Sequence, residues 1–551
     1  MIRRRLVCST PLFALLCAAC SGQPSDDATV TITPEELESA AALTGSEPEP
    51  GIGASDAEPG ISSAGARQRY GCEPGGALPG HTYLFVDAAA APGGSGARQA
   101  PFATLQAAYL AIQSGQKAIL CIAEGTYVER VGSQADRFTS GTEYTLVGGF
   151  RAGQSFAERD SVRYRTAVKA PDRASGTLVF GNVRSLTLDG LDLSGGLHGV
   201  LIASGYSAGR TLVVRNNHIH DNGIEGHHDH RGGGLRLSGT QVVIEHNLIE
   251  NNAAGAGGAG IFIGSSPSSE RNTRIGGTLQ VSPALATIAH NIVRDNVARY
   301  DTPHGAGISV SMNAHIHHNR IEGNRGHAPL NGAGGQGVGG GIIAQYPLIT
   351  VAIESNWIAR NVAPKAGGGI FIDEASIGTL VNNVIVDNQG VGAICVDGRG
   401  SGNAPDDRGY ATIANNTVTG NSDGAVYVLD STVTAYNNVF WANGARDILS
   451  ATSGAIPEDI TLDHNVLASG CTGPALCTLG AHNRLGEDPR LLDPARGDYH
   501  LAPNSPAVRA GTSALTPAFA CPGALTTPPP DDYAGVARST TAGIDLGAFA
   551  R

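Results

Sequence analysis

The chain has 551 residues, with 76 Gly, 5% aromatic residues, 16% charged residues and two Met. That composition suits short strands joined by tight turns and argues against a helical bundle. A formal charge of −12 makes nucleic acid or an anionic lipid surface an unsuitable partner for the whole body.

The first elements concern export. Arg3, Arg4 and Arg5 form a basic region, and 12–19 is an apolar run too short to cross a bilayer. Leu16-Cys17-Ala18-Ala19-Cys20 resembles a bacterial lipoprotein cleavage box, with Cys17 where Leu is usual. The resemblance implies a signal peptide over 1–19, a lipid on Cys20 and, with Ser21 following, an outer-membrane address. Cleavage without lipidation makes the protein secreted instead. The mature chain keeps 34 basic against 49 acidic side chains. Residues 20–71, rich in Ser, Ala, Glu, Pro and Gly, read as a disordered acidic tether. Six cysteines remain after the anchor. Cys471 and Cys477 share one Gly- and Pro-bearing loop and read as a disulfide pair, while the pairing of Cys72, Cys121, Cys395 and Cys521 stays open.

Residues 72–175 hold strands at 82–87, 118–122 and 144–147. Apolar residues at 105, 108, 109 and 112, followed by Gly115, predict a helix over 101–112. Tyr83 to Asp87, Pro101-Phe-Ala-Thr-Leu-Gln-Ala-Ala108 and Gly125-Thr-Tyr-x-Glu129 resemble the start of bacterial right-handed parallel β-helix proteins of the pectate-lyase-like superfamily. In that class the helix caps the first coil, which would otherwise expose core and strand edge.

Over 176–470 the phrase Asn-x-aliphatic-x-x-Asn recurs. It opens at Asn217, Asn247, Asn291, Asn319, Asn356, Asn383, Asn416 and Asn438, at intervals of 30, 44, 28, 37, 27, 33 and 22 residues. A constant phrase at variable spacing predicts a solenoid with loops of unequal length. The phrase Asn are expected to take left-handed turn geometry and to bond from coil to coil. His246, His290 and His318 precede three of the phrases, and Asn216, Ser355, Asn382 and Asn415 precede others, which reads as a structural ladder. A Gly-rich strand occurs once per coil. Period two sends Leu235 and Leu237, or Ile261 and Ile263, inward. Arg236, Phe262, Ser309, Ile343, Phe371, Cys395 and Tyr427 are then expected to face outward in one column.

Chemistry is expected where coils differ. The longest loops precede the Gly-rich strands of the earlier coils and are expected to wall a groove. His218, His220 and Asp221, then His227, His228, Asp229, His230 and Arg231, suit a metal or acid/base cluster. Tyr300, Asp301, His304 and His327 lie on neighbouring loops. Asp373 and Asp397 occupy equivalent strand ends on adjacent coils, as a catalytic carboxylate pair or a Ca²⁺ site would, with Asp406 and Asp407 near in sequence. Arg236, Lys365 and Arg399 are the candidate bases, and Phe262, Phe371 and Tyr427 the candidate sugar-stacking rings.

Residues 471–551 close the chain. Asp488-Pro-Arg-Leu-Leu-Asp493, Asp498-Tyr-His-Leu501, Ser505-Pro-Ala-Val508 and Ile544-Asp-Leu-Gly-Ala548 resemble the ending of bacterial β-helix surface proteins. The sequence therefore reads as an all-β, monomeric, lipid-anchored parallel β-helix that contacts extended polysaccharide or another cell-surface polymer. A polysaccharide lyase or glycoside hydrolase is the rival reading, and an adhesive or structural solenoid the third.

Overall fold

The computed structural model describes residues 70–551 apart from 134–140, 154, 182, 203–208, 226–229, 265–270, 276–277, 300–303, 328–336, 399–407, 452–457, 474–475, 520–523 and 540–542. The expected signal peptide, Cys20 and most of the expected tether fall on 1–69, outside the described residues.

One coil is built from Leu235–Leu237, Gln241–Glu245 and Leu248–Glu250, and later coils repeat that order. Among the described residues, equivalent strands pair in parallel into a 12-stranded Gly-rich sheet, a 14-stranded sheet and a 13-stranded sheet. A five-stranded ladder from Ala253–Ala254 to Gln389–Val391 adds a fourth side over the middle coils. Alternation puts Leu235, Ile261, Ile263, Ile308, Val310, Ile342, Ile370 and Ile372 inside with no solvent exposure. Each such burial stabilises by about 1.5–3 kcal/mol, so stacked aliphatics supply most of the drive to coil.

The phrase Asn do something other than make the left-handed bend. That bend falls one residue earlier, at Asn216, His246, His290, His318, Ser355, Asn382, Asn415, Asn437 and His464, with φ of 51° to 59°. The phrase Asn themselves turn inward, because their amides are needed there. Asn319 donates from Nδ2 to the Ile288 carbonyl (2.7 Å) and to Asn356 Oδ1 (3.0 Å). Its own Oδ1 accepts from the backbone N–H and Nδ2 of Asn291 at 2.9 and 3.0 Å. The same contact links Asn217 through Asn247, Asn291, Asn319, Asn356, Asn383, Asn416, Asn438 and Asn465 to Asn483, at 2.9–3.1 Å. A second ladder runs from Asn222 to Asn443 at 2.8–3.1 Å. These buried amides are satisfied by one another and by coil carbonyls, as burial of polar groups requires.

At the front, helix α1 is Leu105–Ala111, shorter than 101–112 because Phe102 instead pairs with Val86 as an extended bridge. Leu105, Ala108 and Tyr109 are buried over the first coils. Thr104 caps the helix, and Glu129 accepts from the Leu105 and Gln106 N–H groups at 2.9 Å each. A carboxylate suits the positive end of a helix. Cys72 bonds Cys121, and Cys471 bonds Cys477 as the sequence indicates.

At the back, the parallel ladder runs on to Leu476–Leu479 and Arg484–Leu485. The chain then folds back along the solenoid's flank. Tyr499 packs on Trp357, the Thr512 carbonyl accepts from Asn437 Nδ2 (2.9 Å), and Asp531 O accepts from Asn382 Nδ2 (2.8 Å). Among the described residues no helix is long and apolar enough to cross a membrane.

Candidate functional site

The outward face of the Gly-rich sheet carries the expected column. Arg236 pairs with Phe262, then Ser309, Ile343, Phe371, Cys395 and Tyr427 follow in register. Phe262 and Phe371, expected as exposed stacking rings, are 9% and 3% accessible. The reason lies in the preceding loops. Arg231, Gly257, His304, Val338 and Ala366 bridge in parallel as a further column, which lays Val338 and Ala366 onto Ile343, Phe371 and Cys395 as an outer apolar cluster. Glycines at positive φ, such as Gly305 (62°) and Gly367 (66°), bring the chain that close. A Cβ on Gly305 would lie 2.5 Å from Ile343. The middle of this face is therefore closed to a ligand.

Its edges are polar. Arg231 is exposed, with its guanidinium 5.4 Å from the Phe262 ring centroid, and Arg236 is half-buried. His304 sits between cations: burial first, then the charges of Arg231 and Lys365, lower its pKa to about 4, against a hydrogen bond with Gln345. Its imidazole is neutral at neutral pH, and its Nδ1 is buried with no hydrogen-bond partner. Glu374 behaves oppositely. Burial raises its pKa, and the Arg231 charge only partly offsets this. It stands at φ 52°, followed by Ala375 at 58°, in a turn held by the Asp373 carboxylate, which accepts the Glu374 N–H at 2.9 Å. Left-handed backbone at two successive non-Gly residues is costly and needs such support. Lys365 and Gln345 complete the group, Gln345 pairing with Asp373.

Other expected site residues are distributed differently. His230 is buried, its ring stacked 4.8 Å from His198 and its nitrogens on the Ile224 and Leu197 carbonyls, so it is wall, not lining. Asp397 is buried at the strand end paired with Leu429, and Asp373 is half-buried on the preceding strand. His227, His228, Asp229, Tyr300, Asp301, Arg399, Asp406 and Asp407 lie outside the described residues.

His218 and His220 lie on a strand of the 13-stranded sheet, away from the Gly-rich face. Asp192 meets His218 Nδ1 at 3.1 Å and His220 Nε2 at 3.2 Å, while His218 Nε2 meets Glu250 at 2.9 Å. Arg165 and Arg294 add charge to Asp192 and Glu250. Burial opposes the Asp192 charge, yet hydrogen bonds from both histidines and the nearby positive charges hold its pKa below the usual range. For His220, burial is outweighed by Asp192 and Asp221, and its pKa is raised. This is an ion-pair network already balanced within itself. Sequence reading missed Asp192, Glu250, Gln345 and Glu374. Period-two spacing on adjacent coils could have aligned Glu250 with His220, their partners in register.

Residues 172–344 match the family model for the right handed beta helix region. With three long parallel sheets winding coil on coil, that decides the fold. The solenoid is a right-handed parallel β-helix. The crystal structure of pectate lyase Pel9A is similar at 14% identity, covering 86% of this chain and 98% of that one, with a TM-score of 0.36. The complex structure of XylC with xylose is similar at 11% identity, covering 85% and 98%, with a TM-score of 0.39. Likenesses this distant speak to neither substrate nor activity. No curated protein matches the chain.

Proposed function

We propose that this β-helix binds an extended acidic polysaccharide along the polar edge of its Gly-rich face, displayed at the cell surface by a lipid on Cys20. The observation that carries the reading is the bridged column Arg231, Gly257, His304, Val338 and Ala366, which sets exposed Arg231 and, next to Ala366, exposed Lys365 along one edge of a protein whose overall charge is −12. Cations gathered against a negative background favour a regularly charged polymer over a neutral one. The solenoid supplies a second support, since a coil repeat of ~4.8 Å offers equivalent positions along an extended chain.

The test is a panel of soluble polyuronates and neutral glycans titrated into the mature protein. Acidic glycans are expected to bind, less tightly at high salt. The double variant R231A/K365A is expected to lose about tenfold or more in affinity, the scale of one charge-assisted hydrogen bond. Binding confined to neutral glycans, or indifferent to the double variant, overturns the reading.

A catalytic reading is favoured by one observation. Glu374, with its pKa raised, and His304, with its pKa lowered, both feel the Arg231 charge and have the polarity of a general acid and a general base. Asp373 and Asp397 stay with this reading as the carboxylate pair, with Ca²⁺ as the ion they would take. Unsaturated products or new reducing ends that disappear in E374Q support it. No turnover of any glycan, with or without Ca²⁺, removes it.

A further inference from the structure

Among the described residues, three groups of side chains gather ligand atoms within 4.8 Å of one another: Asp192, His218 and His220; Asp463, His464 and His482; and His290, His317 and His318. The first two contain a carboxylate already bonded to their imidazoles. The third is made of imidazoles alone. His290 and His318 are exposed and His317 is half-buried, with ring centroids 5.1 to 5.7 Å apart.

Part of this group has a purely structural explanation. His246, His290 and His318 fill the left-handed position before a phrase Asn, where His and Asn are both tolerated. Where the C-terminal segment covers that column, the residues are Asn382, Asn415 and Asn437, whose amides bond to it. On the coils of His246, His290 and His318 the same position carries His instead. Turn geometry does not explain His317, however, which is a strand residue paired with Ala289 and Glu354. Its Nδ1 lies 3.0 Å from His318 Nδ1. Two ring nitrogens that close need either a proton or a shared cation between them.

We propose that His290, His317 and His318 form a binding site for a divalent transition-metal ion of the Zn²⁺, Co²⁺ or Ni²⁺ class, on the outer turn between the 14-stranded and 13-stranded sheets. Imidazole is a good ligand for these ions and a poor one for Ca²⁺ or Mg²⁺. Metal–nitrogen bonds of about 2.1 Å in tetrahedral geometry put ligand nitrogens about 3.4 Å apart. One pair already stands at 3.0 Å and the others lie within 4.8 Å, so side-chain rotation closes the site without moving the coils. Three protein ligands leave a position for water or an external ligand.

The experiment titrates Co²⁺, then Zn²⁺, into the metal-free full-length protein, reading Co²⁺ ligand-field bands and calorimetry. One equivalent is expected, with the bands of a nitrogen-rich site and displacement by Zn²⁺. The variant H290N/H318N, which installs the residue the chain uses elsewhere in the column, is expected to lose more than the roughly 10–100-fold that removing an outer partner costs. Its metal-free unfolding midpoint is expected to match the parent. If that midpoint falls, H317A carries the test, with the same loss expected. H220N is expected to bind as the parent does. No uptake by the parent, parental binding by H290N/H318N or H317A, or loss that follows H220N overturns the proposal.

Discussion

Replacing Asn319 with Ala removes one link from the inner ladder, and the structure sets its size. The side chain donates to the Ile288 carbonyl, the His317 carbonyl and Asn356 Oδ1, and it accepts twice from Asn291. Neither Asn319 nor Asn291 is more than 2% exposed, so water does not replace what is lost. At about 1 kcal/mol net per hydrogen bond, and about 1–3 kcal/mol for a buried donor left without an acceptor, the cost is on the order of 5 kcal/mol. Its sequence neighbour is the control. H318N keeps a residue suited to left-handed backbone at an exposed position and is expected to cost within about 0.5 kcal/mol. Urea unfolding gives the two differences. Native-state hydrogen exchange locates them, with loss of protection expected in the coils holding 285–294 and 350–359. If N319A costs less than about 1 kcal/mol, or no more than H318N, then the buried amide ladder does not hold the coils together and the argument fails.

Other expectations follow from the same structure. Removing the disulfide in C72S should destabilise the N-terminal coils by about 4 kcal/mol, given the 49-residue separation of Cys72 and Cys121; urea unfolding with and without reductant measures it, and an unchanged midpoint refutes it. His198 is buried and its pKa is lowered from 6.5 to about 3, chiefly by burial. A lowered folded pKa gives stability that is present above pH 6.5 and is lost as pH falls toward 3. H198N should therefore flatten stability across that window. Glu374 has the opposite sign: its raised pKa gives stability present below about 4.5 that is lost as pH rises through the folded value. E374Q should gain on the parent at neutral pH and match it in acid. C20S should release the protein from the membrane fraction, and fractionation that leaves it membrane-bound counts against the lipid anchor.

Much of the fold is legible in the sequence because a solenoid repeats its constraints. The Asn phrase, the Gly-rich strands and period-two aliphatics each give the register, and they agree. Arg236, Phe262, Ser309, Ile343, Phe371, Cys395 and Tyr427 stand in one column because that register is right. What covers the column is less legible. Phe371 is outward by period two, yet it is buried because the loop bearing Val338 and Ala366 folds over it, a contact no periodicity encodes. The site is legible only in part for the same reason. Asp373 and His304 are conspicuous in sequence, whereas Glu374 matters through the burial and backbone its turn imposes. His317 is ordinary until the left-handed column brings His290 and His318 beside it.

The most direct test of the polysaccharide account is hydrogen exchange on the mature protein with and without saturating polygalacturonate. The account predicts new protection over 231–237, 304–310 and 365–374, and none over the 13-stranded sheet around His218 and Glu250. Protection confined to that other sheet, or no change at any polyuronate concentration, contradicts it.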